Sequence, residues 1–198
     1  RQPMINVFHA HRLAVLTALW TLALCIGCVR ADQFGVFTYL DKGSSITITG
    51  CATSPTGALD VPATIIGKPV TRIGSSAFFN CTQITSISIP EGVASIETFT
   101  FQRCYALTSV SLPSTVTAIN DYAFQYCSSL ASVNFPTGLK SIAANAFQYC
   151  YALTTVTIPS GVTTLGSKAF DGCRGLTSVS IPSTVTAIPT VCFNDCYN

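Results

Sequence analysis

Histidine is nearly missing from this 198-residue chain: the two copies, His9 and His11, both stand before Ala31. A product cut after Ala31 would hold no imidazole, which excludes a His-based triad and a His general base. Charge is scarce as well, at 9% Asp, Glu, Lys and Arg against the usual quarter or so. The formal charge is +2, but Arg1, Arg12 and Arg30 precede Asp32; from there on, seven cations face eight carboxylates, a net of −1. Such a surface has no electrostatic footprint for nucleic acid, and that partner class is set aside. Glu91, Glu97, Asp121 and Asp171 occur singly at turn-type positions, unlike a glycosidase pair. No Gly-x-Ser-x-Gly occurs, Gly43, Gly50 and Gly57 fall in separate turns, and no C-x-x-C follows Cys28. The sequence therefore nominates no catalytic, cofactor-binding or metal-binding residue, and the segment reads as non-enzymatic with no cofactor. Disorder is excluded too, because apolar residues make up 48% of the chain and recur regularly.

Long apolar runs are also lacking. The best is Leu13 to Ile26, short of the roughly 20 residues a membrane span needs. Preceded by His9, His11 and Arg12 and followed by Val29-Arg30-Ala31, it reads as a signal peptide cleaved before Asp32. Met4 reads as the start, with Arg1-Gln2-Pro3 as upstream residues. The rivals are an uncleaved anchor and lipid attachment at Cys28, although the Leu usual three residues earlier is Cys25. Contact with a membrane is expected only through this segment.

What the chain does have is a 23-residue period. Cys81, Cys104, Cys127, Cys150, Cys173 and Cys196 keep it, as do Phe78, Phe101, Phe124, Phe147, Phe170 and Phe193, and Pro90, Pro113, Pro136, Pro159 and Pro182. Three residue types in phase mean one small unit copied and stacked, each copy burying its apolar face against its neighbours. In Leu107-Thr108-Ser109-Val110-Ser111-Leu112-Pro113 the alternation before proline predicts a short strand with one buried face. Proline ends it, having no N–H for the ladder. The second half, Val116 through Cys127, predicts a turn followed by one or two helical or 3-10 turns.

Leu-x-x-Val-x-Leu-Pro, then Val-x-x-Ile, then Ala-Phe-x-x-Cys resembles the BspA-type leucine-rich repeat. The resemblance covers 70–198 strongly and 44–69 more loosely, with Ala-Phe replaced by Thr100-Phe101 and Cys192-Phe193 in two copies. It implies an α/β leucine-rich-repeat solenoid, one short strand plus a short helical or 3-10 segment per coil. It also implies a secreted or cell-surface protein that binds or adheres to extracellular protein or glycan, often as a module of a longer chain. It carries over no catalytic residues.

Three domains are expected: 1–31 as signal with upstream residues, 32–69 as an N-terminal β cap with the first irregular repeat, and 70–198 as the array. In the cap, Phe34 to Leu40 and Ser44 to Thr49 predict a hairpin around Asp41-Lys42-Gly43. Leu59-Asp60-Val61-Pro62 predicts the first strand-proline step, with Ile66-Gly67-Lys68-Pro69 as a turn-forming insertion. The array stops in mid-repeat, so a monomeric fragment of a longer protein is expected.

The Cys and Phe columns are expected to be structural ladders, the cysteines packing as small hydrophobes and staying reduced. Cys51 falls outside the pattern. The outward strand residues Ser86, Ser88, Ser109, Ser111, Ser132, Asn134, Thr155, Thr157, Ser178 and Ser180 would stack about 4.8 Å apart in two columns. They form the candidate contact face; short hydroxyl side chains also simply solvate a β surface. A passive spacer presenting a further domain, or the non-catalytic part of a secreted hydrolase, are the competing functions.

Overall fold

The structure is a computed structural model that describes residues 31–197; the signal-peptide reading lies outside them. Fourteen strands are present among the described residues: β1 (Asp32–Phe34), β2 (Phe37–Asp41), β3 (Ile46–Cys51), β4 (Gly57–Asp60), β5 (Thr64–Ile65), β6 (Lys68–Ile73), β7 (Ile84–Ser88), β8 (Ser95–Ile96), β9 (Ser109–Ser111), β10 (Ala118–Ile119), β11 (Ser141–Ile142), β12 (Thr155–Thr157), β13 (Thr164–Leu165) and β14 (Ser178–Ser180). Each coil of the array contributes to three parallel faces. The strand face consists of β4-β7-β9 and, separately, β12-β14; a second face is the ladder β8-β10-β11-β13. The registers pair residues one period apart, such as Ile87 with Val110 and Ile119 with Ile142.

Between these faces the inward positions read from the alternation are buried: Leu107, Val110, Val116 and Ile119 in one coil, and Leu153, Val156, Val162 and Leu165 two coils on. Each such side chain contributes about 1.5–3 kcal/mol of transfer free energy. Stacking puts the same side chain above and below itself, so one small unit closes its core without a second layer.

The third face corrects the expected helical segments. Among the described residues there is no α or 3-10 helix; Ala-Phe-x-x-Cys is built of consecutive turns. Two positions per coil sit in the left-handed region. Ser76, Phe99, Tyr122, Asn145, Lys168 and Val191 form one column, and Asn80, Arg103, Tyr126, Tyr149 and Asp195 the other, with φ between 55° and 63°. A left-handed residue every fourth position cannot belong to a right-handed helix. The hydrogen bonds show what is gained. Ala77, Phe79 and Cys81 donate back to Gly74, Ser76 and Phe78 inside the coil, while Ser76, Phe78 and Asn80 donate to Thr98, Thr100 and Gln102 of the next. Alternate amides thus close turns and join coils. A helix is about 10 Å across, whereas these coils repeat every 5 Å or so, judged by Phe ring centroids 5.1 to 5.4 Å apart. Turns fit that spacing where helices would splay.

The N-terminal end is closed by an antiparallel hairpin, β2 with β3, whose Phe37, Tyr39, Ile46 and Ile48 point inward. Its turn is fixed by Gly43 N–H donating to Asp41 Oδ1 at 2.8 Å. β3 then runs parallel to β6, and Leu59 of β4 pairs with Ile87, so the first strand-proline step is in place. The insertion turn is tighter than its four residues suggest. Ile66 and Gly67 alone make it, both at positive φ, and Lys68 and Pro69 already belong to β6. Two left-handed residues in a two-residue loop match the twist of a hairpin. Phe37 meets the end of the Phe column edge-on, 6.4 Å from Phe78 at 88°. At the other end the last described coil leaves Ile188 and Val191 exposed.

Candidate functional site

The ten residues of the expected contact face do not form one continuous surface. Ser86 stands beside Ser109 and Ser88 beside Ser111 across β7 and β9; Thr155 stands beside Ser178 and Thr157 beside Ser180 across β12 and β14. Ser109, Ser111, Thr155, Thr157, Ser178 and Ser180 are exposed, but Ser86 and Ser88 are half-covered beside Ala58 and Asp60 of β4. Ser132 and Asn134 are exposed, yet no strand forms over residues 131–136. The face is thereby split into two sheets. At the split lies an open groove of about 350 Å³, lined by Ser132, Val133, Asn134, Phe135, Thr137, Thr155, Thr157 and Pro159.

Two residues depart from their columns at the split. In the column before the strands, Thr108 Oγ1 donates to Thr85 O at 2.9 Å and Thr177 Oγ1 to Thr154 O at 3.1 Å. Ala131 occupies the middle rung and has no hydroxyl. Its backbone bonds are also longer: Ala131 N–H to Thr108 O is 3.2 Å and Thr154 N–H to Ala131 O is 3.3 Å, against 2.8 and 2.9 Å in the Thr rungs. At the far side Phe135 stands where other coils hold Ile89, Leu112, Ile158 and Ile181. Its ring turns inward and packs edge-on against Phe147 at 5.5 Å and 76°. Sequence reasoning placed Phe135 inward as one more copy of the strand pattern and passed over Ala131, although each is a single departure from an otherwise regular column.

The turn face has no such break. Phe78, Phe101, Phe124, Phe147 and Phe170 are fully buried and stack within 16° of parallel, with Phe193 at the end half-buried. Cys104, Cys127, Cys150 and Cys173 are buried as well, each Sγ donating to the carbonyl 26 residues upstream at 3.1 to 3.3 Å. Burial pushes all four thiols up, away from the thiolate. Cys192, outside the column, is pushed up to about 11, also by burial. Cys81 and Cys196, the end rungs, are only half-buried. Among the described residues no three His, Cys, Asp or Glu gather to hold a metal ion.

Beside the thiols runs a ladder that the sequence reading did not pick out. Gln102 donates to Gln125, Gln125 to Gln148, and Gln148 Nε2 to Asp171 Oδ2 at 2.7 Å; from the other side Asn194 Nδ2 donates to Asp171 Oδ1 at 3.2 Å. Asp171 is buried and ends the amide chain as its acceptor. The spacing of 23 was visible in the sequence, but Phe79, Gln, Gln, Gln, Asp and Asn look unrelated until their bonds are seen. On the outside of this face Tyr126 lies 4.7 Å from Tyr149, and Tyr149 lies 6.0 Å from Tyr151. Arg103 covers Phe79 and Arg174 covers Tyr151.

The fold and these columns define a leucine-rich-repeat solenoid. The chain belongs to the BspA type leucine rich repeat family, whose region matches residues 63–198 in six copies. Comparison with curated proteins gives no match. Among solved structures, the chain is similar to a T. pallidum leucine rich repeat protein at 32% identity and a TM-score of 0.72, over 77% of this chain and 72% of that one. It is similar at the same identity and TM-score to a leucine-rich repeat protein from Bacteroides ovatus, over 77% of this chain and 42% of that one. The pneumococcal vaccine antigen PcpA, at 22% identity and a TM-score of 0.54 over 76% of this chain and 49% of its own, shares the fold.

Proposed function

We propose that the chain is an exported, cell-surface binding module that engages extracellular protein or glycan through its strand face, without catalysis. The observation that carries this reading is the pairing of short hydroxyl side chains in matched register on β7–β9 and β12–β14, all but Ser86 and Ser88 exposed, with the groove between them on the same face. Signal-type residues at the N-terminus support export, and membership of the repeat family supports a binding role. Single contacts from Ser and Thr are weak, so affinity comes from several coils meeting one extended partner. Thr155 and Thr157 belong both to the columns and to the groove wall, which makes them the centre of the contact.

The test is surface binding of the chain to immobilised extracellular-matrix proteins and to a glycan panel. Paired Ser109→Arg and Thr155→Arg changes should abolish binding without unfolding, because both side chains are exposed. Charge reversal at Arg103 or Lys140, off this face, should leave it intact. If the double variant binds normally while Tyr126→Ala and Tyr149→Ala do not, the turn face is the working surface. Absence of binding by the unaltered chain to every surface would favour a spacer that presents another domain.

A further inference from the structure

We propose that Cys51 and Cys81 form a redox-active dithiol, and that its oxidation to a disulfide fastens the N-terminal hairpin to the first coil of the array. This inference does not rest on the binding role.

The other ladder thiols are committed elsewhere. From Cys104 to Cys196, each Sγ donates to the carbonyl 26 residues upstream, and the four middle ones are buried. For Cys81 the residue 26 places upstream is Pro55, in the irregular segment, and its sulfur meets the Cys51 thiol instead. Cys51 stands outside the repeat in sequence and at the end of the column in space.

The backbone around the pair is closely held. Cys51 ends β3 opposite Phe37, and the Phe37 ring packs on Phe78, three residues before Cys81. The preceding residue, Gly50, lies so near the turn that an added Cβ would come 3.3 Å from the Ala77 carbonyl oxygen. β3 and the Ala77–Cys81 turn are thus neighbours through ring, backbone and sulfur. Both thiols are half-exposed, so a small reagent in solvent reaches them.

Cys51 donates its S–H to Cys81, which holds Cys81 below the ordinary thiol range and Cys51 above it. Either thiol can open the exchange with the same balance; with Cys81 first, Cys51 is the resolving thiol. With a low-molecular-weight disulfide as oxidant, the Cys81 thiolate attacks one sulfur, forms a mixed disulfide and expels one small thiolate. That thiolate, or solvent, takes the Cys51 proton. Cys51 then attacks the Cys81 sulfur and expels the second small thiol. Two protein thiols and one small disulfide become one protein disulfide and two small thiols. The bond closes a loop from residue 51 to residue 81, restricting the unfolded chain.

The experiment equilibrates the full chain in oxidised or reduced glutathione, alkylates free thiols, and maps peptides by mass spectrometry. Oxidised protein should yield a linked peptide pair holding Cys51 and Cys81, with Cys104, Cys127, Cys150 and Cys173 alkylated only after denaturation. In Cys51→Ser and in Cys81→Ser the remaining thiol of the pair should be recovered free or as its glutathione adduct, and no linked peptide pair should form. The thermal midpoint of the unaltered chain should rise by several degrees on oxidation, and the rise should vanish in either variant. Recovery of both Cys51 and Cys81 as free thiols from oxidised protein, or their linkage to other cysteines, would overturn the proposal.

Discussion

The turn face and the strand face repeat with the same period but tolerate variation differently. On the turn face the Phe stack, the buried thiols and the amide chain run through the array without a gap. On the strand face the ladder parts into two sheets at the coil where Ala131 and Phe135 depart from their columns. The cause is how each face is held. Turn-face amides alternate between turn and neighbour, so each coil is fixed internally before it is stacked. A strand has no internal hydrogen bonds and depends wholly on its neighbours, so one poor rung disturbs both sides. Continuity therefore rests with the turns and the β8-β10-β11-β13 ladder, and the wider strand face is left free to vary. Variation of that kind is where a binding surface can be shaped without losing the fold.

The largest expected effect breaks the turn face. Phe124 is fully buried between rings 5.1 Å away on either side. Phe124→Ala removes two stacking contacts and leaves a cavity, at a cost of about 3–5 kcal/mol. Ser111→Ala, on the exposed strand face, should change stability by no more than about 0.5 kcal/mol. Chemical denaturation of the two variants measures the contrast. Equal midpoints would mean that the two faces do not differ in the way described.

A second, smaller break tests the amide chain. Asp171→Ala takes the acceptor from Gln148 and Asn194, the first of which is buried. Leaving those donors unmatched should cost about 1–3 kcal/mol. Asp171→Asn keeps one acceptor oxygen and should lose less. If Ala and Asn variants unfold at the same denaturant concentration, the carboxylate is not the anchor of the chain.

These contrasts also show what could be read in advance. The period, the inward Leu, Val and Ile positions, the proline stops and the hairpin follow from side-chain alternation and from proline's missing N–H. All of these are local properties. The turn structure of Ala-Phe-x-x-Cys was not legible, because Ser76, Phe99, Tyr122, Asn145, Lys168 and Val191 share no residue type that advertises a left-handed backbone. Only the 5 Å repeat forces it, and that is a property of the stack. The candidate face was legible as a list of outward residues, but its division was not. Reading Ser132 and Asn134 as two more rungs assumed that any coil with the right alternation joins the ladder. The groove is lined by Phe135, and Ala131 stands at the other end of the same coil segment; both lie outside the alternating pair.

The smallest effect attempts to repair the strand face. Ala131→Thr restores the hydroxyl that Thr108 and Thr177 use to reach the preceding coil. Position 131 is exposed, so the larger side chain meets no core. The new bond, from the introduced hydroxyl to Thr108 O, should add about 0.5–1.5 kcal/mol and raise the denaturation midpoint slightly. Amide exchange at Val133 should slow as the ladder tightens around it, while exchange at Phe124 on the turn face stays unchanged. If exchange at Val133 does not respond, the missing hydroxyl is not what parts the sheets, and the inward-turned ring of Phe135 carries the break alone. Phe135→Leu, which copies Leu112 of an intact coil, would then be the change that closes the groove.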